Sequence, residues 1–248
     1  IAGGRLWMAG GNVVSPASYD LVTGEYLGPG PGNGSPQANR GEEIGVFQDE
    51  YLVFGGRLRY SARENVVNPG MFNISRLESE RAAKEPQTLC AGRIPPVWNQ
   101  EHVLAVDGPF TPLRCSRVAD TAKWAREGSS SVAPSSVVIE GIPPKSDVVA
   151  LALADGAALA AYRIVQPGVL APVWCICRID LARAAVTWQQ NLPTGALAGG
   201  LLIDRENRAV AVLQDGSVVC YGGDETLRAH IDALTATADQ DPARKEQA

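Results

Sequence analysis

Tyr19-Asp20-Leu21-Val22-Thr23-Gly24 and, far downstream, Arg178-Ile179-Asp180 followed by Trp188 read as two halves of one repeat signature. Each places an aspartate at the end of a strand-like run, where its short side chain can bond the backbone of a following turn. In the first, Thr23-Gly24 completes the turn, glycine being the residue that takes positive φ without steric cost. In the second, Trp188 stands eight residues after Asp180.

Outward from these stretches the chain is a succession of short apolar runs divided by Gly, Asp and Asn turns. The first unit runs from Arg5 to Ala9, turns at Gly10-Gly11-Asn12, continues over Val13 to Asp20 and resumes at Glu25-Tyr26-Leu27. Gly28 to Gly34 can pack no core and reads as a loop. A second unit has strands at Ile44–Phe47, Tyr51–Phe54 and Phe72–Leu77, with Glu78 to Lys84 as a helix-permissive insertion. A third has Val97-Trp98, His102–Val106, Leu113–Val118 and a last short strand at Lys123-Trp124, then a Ser-rich loop from Gly128 to Ser136. In the fourth, the alanines of Val148 to Ala161 would also fit a helix. Asp155-Gly156 in their middle is a two-residue hairpin signal and decides for strands, with Trp174–Asp180 and Val186–Gln189 completing the unit. The fifth has Gly200–Ile203, Ala209–Leu213, the Asp215-Gly216 turn and Ser217–Tyr221.

The turns between first and second strands centre on Asp49, Gln100, Asp155 and Glu206, at intervals of 51, 55 and 51 residues. Repetition at about that period, with four strands in each period, predicts an all-β β-propeller of four-stranded antiparallel blades. A doubly wound or barrel α/β fold would need amphipathic helices between the strands, and they are missing. Residues 1–224 are expected to form four to five blades, and 225–248 a C-terminal helix (Glu225 to Thr237) with a disordered tail. The first unit opens on what reads as a second strand and the last lacks a fourth. The expectation is therefore the C-terminal portion of a larger propeller.

The formal charge of −5 argues against a nucleic-acid partner, which needs a basic patch. No run of about 18 apolar residues suggests a membrane span. Five cysteines (Cys90, Cys115, Cys175, Cys177, Cys220) have neither metal-binding spacing nor the even count of a disulfide framework, and read as buried thiols.

Strand–Asp–x–x–Thr–Gly–x–x–x–Trp resembles the tryptophan-docking repeat of pyrroloquinoline-quinone-type propellers, the quinoprotein dehydrogenase-like family. The match is divided among blades. Asp20 with Thr23-Gly24 has the turn, and Gly28 where the tryptophan would be. Asp180 has Trp188, and Arg183-Ala184 in place of Thr-Gly. Asp120 with Trp124 is a shortened version, and Asp215-Gly216 fits the family's strand–Asp-Gly–strand element. The resemblance implies structural roles for all of these, with Trp124 and Trp188 as staples buried between blades. It also implies a periplasmic or extracellular location.

The family's enzymes hold quinone and Ca²⁺ on the propeller axis and in many members use adjacent cysteines. This chain has no adjacent cysteine pair, and no carboxylate and amide cluster can be matched to the metal ligands. Catalytic, cofactor and metal residues are thus all expected to be none. His102 opens a strand, His230 lies in the C-terminal helix, and neither has a nucleophile motif around it. The reading is a non-catalytic scaffold whose partner is the remaining propeller segment, another protein chain or a glycan. The alternative is a subunit or fragment of a quinoprotein-like oxidoreductase.

Overall fold

The computed structural model describes residues 1–9, 16–29, 42–56, 59–61, 66–68, 70–77, 86–127, 133–165, 168 and 171–222. The protein is an all-β β-propeller built of antiparallel meanders. Sheet one is β1 (Arg5–Met8), β2 (Ala17–Asp20) and β3 (Tyr26–Pro29). Sheet two is β4 (Glu43–Phe47), β5 (Tyr51–Gly55), β8 (Phe72–Arg76) and β9 (Gln87–Cys90); a separate ribbon of β6 (Arg59–Ser61) and β7 (Val66–Asn68) interrupts it. Sheet three is β10 (Val97–Trp98), β11 (His102–Ala105), β12 (Arg114–Arg117) and β13 (Ser136–Val138), with α1 (Val118–Glu127) between the last two. Sheet four is β14 (Ser146–Ala154), β15 (Ala157–Ile164), β16 (Val173–Asp180) and β17 (Ala185–Leu192). Sheet five is β18 (Ala196–Ile203), β19 (Ala209–Leu213) and β20 (Val218–Tyr221).

Strand alternation explains the stacking. In β5, Leu52 and Phe54 face sheet one with Trp7, while Tyr51 and Val53 face sheet three with Val103 and Trp124. In β15, Ala158, Ala160 and Tyr162 pack with sheet three's Leu104 and Cys115, while Leu159 and Ala161 pack with sheet five's Ala211 and Leu213. Period-2 sequences with both faces apolar thus build four cores, each joining one sheet to the next. First strands lie side by side, β10 against β14 and β14 against β18, as inner blade strands must. Among the described residues no core joins sheet five to sheet one.

Several expectations need correction. Lys123-Trp124 is not a strand: Val118, Thr121, Ala122 and Trp124 are the buried side of α1, and the chain from Val118 to Glu127 holds no Gly or Pro to break a helix. Asp120 therefore makes no repeat turn; it is exposed in the first turn of α1, where a carboxylate complements the helix dipole. The fourth strand of sheet three is β13, which takes Ser136 from the expected Ser-rich loop, and β9 is a fourth strand that its polar Gln87-Thr88 start conceals. Gly28 and Pro29 belong to β3 rather than to a loop. The Gly10-Gly11-Asn12 turn, the rest of the Gly-Pro loop, the insertion at 78–84, most of the Ser-rich loop, the C-terminal helix with His230, and the tail lie outside the described residues.

Candidate functional site

The repeat turns are self-contained. Val22 N and Thr23 N donate to Asp20 Oδ1 at 2.9 and 2.7 Å, the Thr23 hydroxyl donates to the same oxygen at 3.1 Å, and Gly24 takes φ of 72°. These bonds hold the Asp20 carboxyl below the usual range, the Thr23 amide contributing most. At Asp180 the Arg183 amide donates to Oδ1 at 3.0 Å, and Ala184 takes the glycine's place with φ of 50°. Asp215 accepts from Ser217 N at 2.9 Å and Ser217 Oγ at 2.6 Å, with Gly216 at φ of 86°. Asp204 serves a first-to-second-strand turn in the same way, accepting from Glu206 N and Arg208 N. All four carboxylates are engaged in shaping their own turns. Among the described residues no three His, Cys, Asp or Glu side chains are grouped to hold a metal ion.

The tryptophans divide differently from expectation. Trp124 is 8% exposed and packs with Phe47, Tyr51 and Phe72 of sheet two, so it joins neighbouring blades from a helix rather than a strand. Tyr51 Oη adds a bond to the Ala122 carbonyl at 3.1 Å. Trp188 is only half-buried; its ring meets Tyr221 of sheet five at 5.1 Å and 60°. Trp98, which was not singled out, is a further staple. Its Nε1 donates to the Val46 carbonyl at 3.2 Å, and its ring lies so close to Gly45 that an added Cβ would stand 2.6 Å from it. An isolated glycine inside a strand pattern is the signal that marks such an approach.

Two surface features remain. A cleft of about 270 Å³ between sheets four and five is lined by Leu159, Arg178, Trp188, Ile203, Ala209 and Tyr221, among others. Arg178 Nη1 reaches the Asn207 carbonyl at 3.5 Å and forms no ion pair among the described residues. The other feature is the face of sheet one turned away from sheet two. There Leu6, Tyr19 and Tyr26 form one cross-strand row with Met8 beside it, and Leu6, Met8 and Tyr26 are exposed.

No family model matches the chain, and no curated protein sequence matches it. Among solved structures it is similar to BamB from Moraxella catarrhalis, at 10% identity over 90% of this chain and 71% of that one, with a TM-score of 0.40. A likeness this remote says nothing of shared activity or partners. No described helix is long and apolar enough to cross a membrane.

Proposed function

We propose that this chain is a non-catalytic propeller scaffold of the quinoprotein-like type that binds a protein partner outside the cytoplasm. The observation that carries the reading is the apolar outer face of sheet one. Sheets two, three and four are covered on both faces by neighbouring blades, whereas Met8 is 48% and Tyr26 49% exposed on a face of their own. Covering a contiguous apolar face is favourable by roughly 25 cal/mol per Å² of area removed from water, and such a face is the usual mark of an interaction surface. Beside Tyr19 and Tyr26, the Leu6 and Met8 side chains bring no hydrogen-bonding group to this face, which suits another protein's apolar surface.

A photo-crosslinking residue at Met8, with exposed Lys123 as control, tests this in the host cell. One protein, identified by mass spectrometry, should be captured at Met8 and not at Lys123, and Leu6→Glu should abolish the adduct. Equal capture at both positions, or none at Met8, counts against the reading. Purified protein mixed with pyrroloquinoline quinone and Ca²⁺ should develop no cofactor absorption band. A stoichiometric band would put the oxidoreductase alternative in its place.

A further inference from the structure

Glu43 is an exposed residue on β4, the first strand of sheet two, and its carboxylate has no ion pair among the described residues. What sets it apart is the wall it stands beside. Between β4 and β10 lies a crevice of about 230 Å³ whose lining includes Glu43, Val53, Phe72, Pro95, Pro96 and Trp98. Glu43 is the one ionisable side chain in that lining. Sheets two and three each hold four strands, so the crevice is bounded by whole blades and owes nothing to the ends of the chain.

Two glycines shape it. At Gly45 an added Cβ would stand 2.6 Å from Trp98 Cη2, so the indole closes directly onto the backbone of β4. Its Nε1 bond to the Val46 carbonyl and its edge contact with Phe47 hold it there, half-buried. At Gly56, with φ of 91°, Glu43 Cγ and Phe72 Cζ each stand 2.9 Å from the position of an added Cβ. The glutamate stem therefore rests beside the tip of the Phe72 ring, the positive edge of its quadrupole, which favours a carboxylate there.

We infer that this crevice binds a quaternary ammonium group, with its charge between the Glu43 carboxylate and the Trp98 ring. Indole attracts a cation through its quadrupole, and an unpaired carboxylate alongside adds to the attraction. A primary ammonium brings three N–H donors that each need an acceptor. Beyond Glu43 the lining side chains supply none, because Trp98 Nε1 is itself a donor and already engaged. A trimethylated nitrogen has no donor to satisfy and lays its methyl groups against Val53, Pro95 and Pro96. Pockets for drug-sized ligands begin at about 300 Å³, so 230 Å³ suits a head group rather than a larger molecule. The net charge of −5 also draws cations toward the protein. Free choline-like solutes and the head group of a choline lipid share this chemistry. The site lies apart from the apolar face of sheet one and does not depend on the reading built on that face.

Choline is the probe, titrated into the isotopically labelled full chain at low salt and followed at the indole N–H signals. The Trp98 signal, assigned by its loss in Trp98→Phe, should shift saturably in the millimolar range. Dimethylbutanol, the isostere with carbon in place of the charged nitrogen, should bind about fivefold more weakly. Ethanolamine, the primary amine, should also bind more weakly than choline. Glu43→Gln should weaken choline about threefold and leave dimethylbutanol unchanged. The ligand comparisons need no altered protein, so the test survives a variant that folds poorly.

Co-sedimentation with phosphatidylcholine vesicles, absent with phosphatidylglycerol and reduced in Glu43→Gln, would make a lipid the source of the head group. Choline binding without co-sedimentation would make the source a free solute. No saturable shift, equal binding of choline and dimethylbutanol, or tighter binding of ethanolamine overturns the proposal. So does choline affinity that Glu43→Gln leaves unchanged.

Discussion

Gly24 and Ala184 hold the same left-handed position, each four residues after a turn aspartate, with φ of 72° and 50°. The equivalence extends into the strands that follow. Leu27 after Asp20 and Thr187 after Asp180 are both skipped in the register, so Gly28 and Trp188 pair with Ser18 and Arg178 at matching places. Two turns that share little beyond an aspartate thus make the same corner. An L-residue in that region is strained by about 1–2 kcal/mol, partly recovered through the smaller entropy it loses on folding. Ala184→Gly should therefore stabilise the protein by roughly 0.5 kcal/mol, and Gly24→Ala should destabilise it by about 1 kcal/mol. Urea melts of the two variants, read at the midpoint with unchanged slope, check both signs.

Gly45→Ala should cost about 1–3 kcal/mol, the range for overpacking a filled core. The added methyl meets the Trp98 ring, which its bond to the Val46 carbonyl and its edge contact with Phe47 at 5.7 Å keep in place. The double variant Gly45→Ala/Trp98→Leu should be less destabilised than the sum of its parts. Additive losses would show that the ring does not set the limit.

Trp124→Ala should destabilise by about 3–5 kcal/mol, as full removal of a buried indole does. Trp188→Ala should cost about half as much, because its ring is already half in water. Thermal melts of the pair measure the difference. Equal losses would mean that Trp188 is more enclosed than its contact with Tyr221 implies.

Four of the five cysteines are buried and Cys220 is exposed. An aromatic disulfide reagent should titrate one thiol quickly in the native protein and all five in denaturant. Replacing Cys220 by serine should remove the fast phase.

Burial pushes the Cys90 and Cys177 thiols up from 9.0 to about 12. Between those values the unfolded chain has lost these protons and the folded chain keeps them. Stability is therefore whole below pH 9 and falls as pH rises toward 12, by up to about 1.4 kcal/mol per pH unit for each thiol. Denaturant midpoints should drop above pH 9, and less steeply in Cys177→Ala than in the unaltered chain. An equal slope would show that other groups govern the alkaline limit.

Turn chemistry and strand period are local, and they were readable from the residues alone. Asp155-Gly156 makes a hairpin because only a tight two-residue turn suits that pair, and Ala157 to Ile164 extends despite its alanines because both its faces are buried. The first-strand turns at Asp49, Gln100, Asp155 and Glu206 all fall between the expected strands. Trp124 was misplaced because its distance from Asp120 resembled a repeat, while the helix-forming run from Val118 to Glu127 was the stronger local signal.

What spacing could not supply is which side chains meet from different sheets. Trp98 against Gly45, Trp188 against Tyr221, and Arg178 beside the cleft come from residues 53, 33 and up to 44 positions apart. Those meetings depend on how far each blade turns relative to the last. That angle is set by summed packing across four cores, a non-local quantity that no stretch of the chain carries by itself.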